Sequence, residues 1–138
     1  VAYGMHKEKG NLVLINRDID RGEKLALKYD ADFIPRAEID KLSVINADII
    51  INTTSIGMYP DIEKLAFPTQ YIDPHMIVMD IVYNPLKTKL LGHAQNKGCT
   101  TIDGLSMFTH QGAAQFKLWT GITPDIELMR QTIINGAD

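Results

Sequence analysis

Four short polar clusters, each directly after an apolar run, hold the residue types in this chain that suit a ligand. Asn16-Arg17-Asp18, with Arg21 one turn further on, offers two guanidinium forks fit for a phosphate or for stacking on a flat base. Asn52-Thr53-Thr54-Ser55 sets small hydroxyl side chains in a row, able to bond a ligand's phosphate and ribose or to bond a plain backbone turn. Val82-Tyr83-Asn84-Pro85 brings a phenol that serves equally as a bonded core tyrosine or as a contact facing a cleft. Asp103-Gly104 opens the stretch DGLSMFTHQGAAQFKLWTG, where Gln111 provides a carboxamide that both donates and accepts. The arginines also suit solvated surface charge. Asp18 and Asp20 weigh against an anion there: a carboxylate ~6 Å from a unit negative charge costs about 3 kcal/mol at an effective dielectric near 20. Asp18 can instead accept from a ribose hydroxyl.

The elements that must position these clusters follow from periodicity. Apolar runs at 11–15, 31–34, 48–52, 77–81 and 99–102 read as strands. Helices are predicted over 19–29, more weakly over 36–46, and over 87–97, the last closed by Gly98. A long loop punctuated by Gly57, Pro60, Pro68 and Pro74 separates the third and fourth strands. The helix at 105–119 lies between Gly104 and Gly121, and Leu105, Phe108, Ala113, Phe116 and Trp119 read as its core-facing stripe. A last helix over 125–134 has Thr123 as the expected N-cap and Pro124 at its first position. Continuous apolar strands alternating with helices predict an α/β fold with a doubly wound parallel sheet covered on both faces. Ligands of such sheets lie at the strands' C-terminal ends, and all four clusters fall on that rim.

Bulk properties narrow the function classes. The 138 residues are 45% hydrophobic and 22% charged, as expected of a soluble globular domain. A net charge of −3 argues against a broad nucleic-acid footprint. No apolar run approaches the ~20 residues that cross a bilayer, and no signal peptide opens the chain, so neither nucleic acid nor membrane is an expected partner. Cys99 stands alone, which excludes an internal disulfide and fits a reducing, cytoplasmic setting; it reads as a small buried hydrophobe. His6, His75, His93 and His110 are too scattered to predict a metal site, and His110 reads as a helix-surface residue.

Together these strings resemble the C-terminal part of shikimate dehydrogenase. The family's Asn-Ala-Thr-Ser-x-Gly-Met appears as Asn52-Thr53-Thr54-Ser55-Ile56-Gly57-Met58, and its Asp-x-x-Tyr-x-Pro-x-x-Thr-x-Leu-Leu as Asp80 through Leu91. Its Asp-Gly-x-x-Met-x-x-x-Gln-Gly-Ala appears as Asp103 through Ala113, with Phe116 and Trp119-Thr120-Gly121 in register. The resemblance implies a Rossmann-like domain, residues 1–138, that binds NADP for reduction of 3-dehydroshikimate to shikimate, with 103–138 a helical segment completing the substrate cleft. It places Asn16, Arg17 and Arg21 at the adenosine 2′-phosphate. Asp18 stands where the family usually has a hydroxyl residue, which also admits NAD. Thr54 and Ser55 line the dinucleotide cleft, Ile81, Gly104 and Met107 lie by the nicotinamide, and Tyr83 and Gln111 bond the substrate's hydroxyl and carboxylate groups.

The resemblance also implies features not found here. Family members carry a Gly-x-Gly-Gly-x-x-x-Ala turn after a first strand, and Val1-Ala2-Tyr3-Gly4-Met5 resembles the middle of the helix that follows that turn. The expectation is therefore an incomplete sheet, lacking first strand and Gly-rich turn, in a C-terminal piece of a longer protein. The family's catalytic Lys and Asp belong to an N-terminal substrate domain, the missing partner, so no catalytic residue is assigned and the piece alone is expected to be inactive. Two alternatives stand beside this: a non-catalytic ligand-binding or regulatory module that keeps Tyr83 and Gln111, and a quinate enzyme.

Overall fold

All strand pairs among the described residues are parallel. The computed structural model describes residues 1–41 and 46–136, and the chain divides into two units, Val1–Ile45 and Asn46–Asp138. The α/β class with parallel strands is as predicted, and the strands form two small parallel sheets, one in each unit, in keeping with the expectation of an incomplete sheet.

In the first unit, a short helix α1 (Ala2–Lys7) precedes a βαβ crossover of β1 (Val13–Asn16), α2 (Ile19–Tyr29) and β2 (Asp32–Pro35). Register pairs Val13 with Asp32 and Ile15 with Ile34. Asp18 caps α2 by accepting from the Arg21 amide at 3.0 Å, and Asp30 ends it in the left-handed region at φ 49°. Gly22 and Ala26 are the buried residues of α2. β2 runs one residue later than predicted and finishes on Pro35, which an edge strand tolerates because one side of its backbone has no ladder to serve.

In the second unit, β3 (Ile49–Asn52), β4 (Ile77–Asp80) and β5 (Thr100–Ile102) stand in that order. α3 (Lys89–Asn96) buries Leu90, Leu91 and Ala94, its N-cap being Thr88, whose hydroxyl accepts from the Leu91 amide. The long β3–β4 connection contains a 3-10 turn at Thr69–Tyr71. Lys97 secures it by donating to the Thr69 and Ile72 carbonyls, both at 2.7 Å. Ile72, Met76, Val78, Leu90 and Leu105 form the fully enclosed centre of this unit's core. α4 (Gly104–Thr120) and α5 (Ile126–Asn135) complete the chain.

Three expectations are corrected. The weak helix over 36–46 is a 3-10 helix at Arg36–Lys41, since one enclosed residue, Ile39, supplies too little apolar face for an α-helix; positions 42–45 lie outside the described residues. The N-cap of α5 is Asp125, whose carboxylate accepts from the Leu128 amide at 3.0 Å, so Thr123 and Pro124 precede the helix. On α4 the buried line is Leu105, Thr109 and Ala113, at i, i+4, i+8, while Phe108, Phe116 and Trp119 are exposed. Thr109 can join that line without penalty. Its hydroxyl donates to the Leu105 carbonyl at 2.8 Å, so a polar residue sits in the core line at no unsatisfied cost. Cys99 is buried, as predicted, and in addition donates its thiol to the Asp73 carbonyl at 3.1 Å.

The packing of α2 on β2 makes a prediction whose sign is diagnostic. Gly to Ala in an open helix gains about 1 kcal/mol. A Cβ at Gly22, however, falls 2.1 Å from Cε2 of Phe33. Gly22→Ala is therefore expected to destabilise by about 1–3 kcal/mol, read as a lower urea midpoint, and a raised midpoint would show that this face is loose.

Candidate functional site

The C-terminal tips of β3 and β4 end in Asn52 and Asp80, which face each other in register. Both occupy inward positions of their strands, with Asn52 6% and Asp80 0% exposed. Polar groups this enclosed require partners. Asp80 Oδ1 accepts from Asn52 Nδ2 at 2.9 Å and from the Val82 amide at 3.0 Å, and Oδ2 accepts from the Thr88 hydroxyl at 2.7 Å. Asn52 passes the constraint on: Nδ2 also donates to the Ile56 carbonyl at 3.2 Å, and Oδ1 accepts from the Thr54 amide at 3.0 Å and the Thr54 hydroxyl at 2.7 Å. The Ile56 amide then donates to the Thr54 hydroxyl at 3.1 Å. Of the hydroxyl row, Thr54 is thus engaged in building its own turn, whereas Ser55 is exposed and receives the Met58 amide on its backbone carbonyl.

β5 leads into α4 through Asp103, the N-cap. Its Oδ1 accepts from the Ser106 amide at 2.7 Å and the Ser106 hydroxyl at 2.8 Å. Arg130 of α5 grips the same carboxylate with both terminal nitrogens, at 3.1 and 2.6 Å. The Arg130 fork, chiefly, holds the Asp103 carboxyl at about 2 against an ordinary 3.8; burial opposes it and the two Ser106 bonds add to it. Asp103 in turn raises the Arg130 pKa.

Gly104 follows, in close approach to the β4 extension: a Cβ there would fall 2.4 Å from the carbonyl oxygens of both Ile81 and Val82. One turn on, the Phe108 ring stacks on the Tyr83 ring, centroids 5.1 Å apart and planes at 21°. Met107 and Gln111, which share this side of the helix by i, i+3 and i, i+4 spacing, line an open groove of about 580 Å³ with Met79, Ile102, Ser106 and His110. Met79 alternates to the face of β4 away from Val78 and Asp80, so the groove has an apolar floor, and its lining is almost wholly apolar. Such a lining, with Gln111 at its edge, suits a flat apolar ring face. His110 is exposed, as predicted, and donates Nδ1–H to the Ser106 carbonyl at 2.7 Å.

Ile81, Tyr83, Gly104, Met107 and Gln111 are therefore gathered around the first two turns of α4, with Thr54 joined to them through Asn52 and Asp80 and Ser55 exposed beside it. Asn16, Arg17, Asp18 and Arg21 belong to the first unit. There Asn16 Oδ1 accepts from the Asp18 amide at 3.1 Å, and Asp18 caps α2. Arg17 and Arg21 are exposed at the N-terminus of α2 with no ion-pair partner among the described residues. Two unpaired guanidinium groups at a helix N-terminus form a donor set that fits an anionic group such as a nucleotide phosphate. Among the described residues there is no cluster able to hold a metal ion, and no helix is long and apolar enough to cross a membrane.

Sequence reasoning gave no role to Asp80, Thr88 and Arg130, and read Phe108 as a core residue. Asp80 had a signal, a carboxyl residue closing an apolar strand opposite a second polar strand end. Arg130 had none, since its partner lies 27 residues away.

The family model described as the Shikimate 5′-dehydrogenase C-terminal domain matches residues 104–134, spanning α4 and most of α5. The NADP(+) shikimate dehydrogenase of Methanococcus aeolicus is 41% identical over 133 residues, covering 93% of this chain and 48% of the relative. A quinate dehydrogenase from Corynebacterium glutamicum, solved with NAD, superposes with a TM-score of 0.85 at 31% identity, over 98% of this chain and 50% of that one. The Thermus thermophilus shikimate 5-dehydrogenase, solved with NADP(H) and shikimate, gives 0.82 at 29% identity, over 95% and 48%. The chain spans about half the length of the curated relatives it matches.

Two predictions come from this geometry. Asp80→Ala strands three donors, each loss costing about 1–3 kcal/mol when buried; a drop of at least ~3 kcal/mol in unfolding free energy is expected, and an unchanged melting curve would show the tip network to be dispensable. Asp103 has a folded pKa depressed from 3.8 to about 2, so its stabilisation is complete above about pH 4 and is lost as pH falls towards 2. Arg130→Gln should flatten that acid limb of the melting temperature; an identical limb in the variant would assign the acid loss to other carboxylates.

Proposed function

We propose that this chain, which is similar to the C-terminal half of shikimate dehydrogenases, is the nucleotide-binding half of an NADP-dependent oxidoreductase that reduces 3-dehydroshikimate to shikimate. What supports this reading most is the convergence at the start of α4, where Gly104 lies against the Ile81 and Val82 carbonyls and Met107 and Gln111 share one groove. A bound nicotinamide nucleotide supplies the hydride for the substrate's carbonyl carbon.

Everything else asked of this chain is binding and orientation. Asn16, Arg17 and Arg21 hold the 2′-phosphate of the adenosine, and Asp18 lowers the preference for that phosphate enough to admit NAD. Thr54 and Ser55 line the dinucleotide cleft. Ile81, Gly104 and Met107 bound the place of the nicotinamide, and the missing Cβ of Gly104 lets α4 start against the Ile81 and Val82 carbonyls. The Tyr83 phenol and the Gln111 carboxamide bond the substrate's hydroxyl and carboxylate groups. Fixing two reactants in contact geometry accounts for several kcal/mol of barrier reduction, on the order of 7 or more in well-oriented systems. No lysine or aspartate of this chain is assigned proton transfer, so the 138 residues by themselves are proposed to turn over nothing; that step belongs to an N-terminal substrate domain, as does the rest of the substrate's enclosure. We propose residues 103–138 as the helical segment that closes the substrate side of the cleft.

The likeness to an NAD-bound quinate dehydrogenase, together with Asp18, favours a second reading in which quinate and NAD are used. Steady-state rates of the full-length protein on shikimate and on quinate, each with NADP and NAD, separate the two. In the same assay Arg17→Ala should weaken NADP by roughly ten-fold or more, the worth of one charge-assisted bond, while leaving NAD almost unchanged. Equal weakening of both nucleotides would remove Arg17 from the 2′-phosphate.

A further inference from the structure

Tyr83 is anchored at its backbone and unconfined at its ring. The residue before it, Val82, is buried, and its amide is tied to Asp80 at 3.0 Å. Tyr83 as a whole residue is 49% exposed, and Phe108 is the aromatic ring that lies against it. An exposed aromatic side chain with no neighbour changes rotamer on a picosecond to nanosecond scale. The Phe108 face, at 5.1 Å and 21°, favours the offset-stacked arrangement over those alternatives.

Phe108 is not there to fill the core. It is 44% exposed, and the buried line of α4 runs through Leu105, Thr109 and Ala113 instead. Its place is set by rigid neighbours: Gly104, one turn earlier on the same side, meets the Ile81 and Val82 carbonyls and fixes how closely α4 approaches the segment that bears Tyr83. Phe108 is also three residues from Gln111, within a single helical turn. One side chain thus links the phenol to the helix turn that carries the carboxamide.

We propose that Phe108 is a positioning residue: its ring fixes the Tyr83 phenol relative to Gln111, so that the hydroxyl and carboxylate groups of a ring-shaped polyol acid meet both at a set separation. The proposal rests on the reading of Tyr83 and Gln111 as substrate contacts. It requires an aromatic face at position 108, not merely apolar volume.

The test uses the full-length protein with shikimate and NADP, and four variants. Tyr83→Phe keeps the stack and removes the hydroxyl; it should raise the KM for shikimate. Phe108→Leu, which keeps apolar volume, should lower kcat/KM for shikimate about three- to ten-fold, the worth of an aromatic pair, while the KM for NADP and the melting temperature stay put. Phe108→Tyr restores a face and should return kcat/KM to near the parent value. Phe108→Leu added to Tyr83→Phe should have no further effect, because the group being positioned is already gone. If Tyr83→Phe raises KM but Phe108→Leu does not lower kcat/KM, or lowers it equally in the Tyr83→Phe background, the positioning role is overturned and the substrate reading survives. If Tyr83→Phe leaves KM unchanged, the substrate reading fails and the proposal with it.

Discussion

The second unit depends on a carboxyl group with no access to solvent. Asp80 is 0% exposed and is satisfied by the Asn52 carboxamide, the Val82 amide and the Thr88 hydroxyl. Each partner belongs to a different element: the tip of β3, the extension of β4 and the cap of α3. A polar group enclosed this fully is tolerated only when all its bonds are made together, so the three elements must arrive in one arrangement. The turn after β3 inherits that order through Asn52, which uses both ends of its carboxamide. The loops at the strand tips, the ordinary place for ligand contacts in parallel sheets, are thereby tied by side-chain bonds without being part of a strand.

α4 is fixed at its start by constraints of a different kind. Asp103 caps it while Arg130 holds the cap from α5, and Gly104 sets its distance from the Ile81 and Val82 carbonyls. The cap determines where the helix begins and the glycine determines how near it comes. Both act within one turn of Met107 and Phe108, so residues at the groove gain their placement from groups that need never touch a ligand. The lowered Asp103 pKa is the electrostatic trace of this arrangement. Beyond Ala113 the same helix carries Phe116, Leu118 and Trp119 exposed, and the tight control seen at its start is not repeated there.

Nucleotide-dependent oxidoreductases leave the bond-making to the bound cofactor and ask the protein for orientation. Each unit by itself carries groups suited to binding: two exposed arginines at a helix N-terminus in the first, and a phenol, a carboxamide and an apolar floor in the second. The Asp103–Arg130 clamp, whose two pKa values move apart, is by contrast a structural pair that holds the helix start.

Periodicity and punctuation alone located the strands to within about two residues, α2, and the order of elements, because apolar runs, caps and glycines act over a few residues. The polar clusters after each strand were legible for the same reason: a strand that ends must hand its chain to something polar. The misreadings arose where a distant or hidden partner changed what a residue costs. Thr109 could join the core because Leu105 takes its hydroxyl, and the aromatic residues expected in its place lie outside. Asp80 and Arg130 have roles that exist only once residues 28 and 27 positions away arrive beside them. Sequence determined which chemical groups are carried to the strand tips, since that is local chain chemistry. Tertiary structure decided which of them touch, because burial and hydrogen bonding are settled between elements rather than along them.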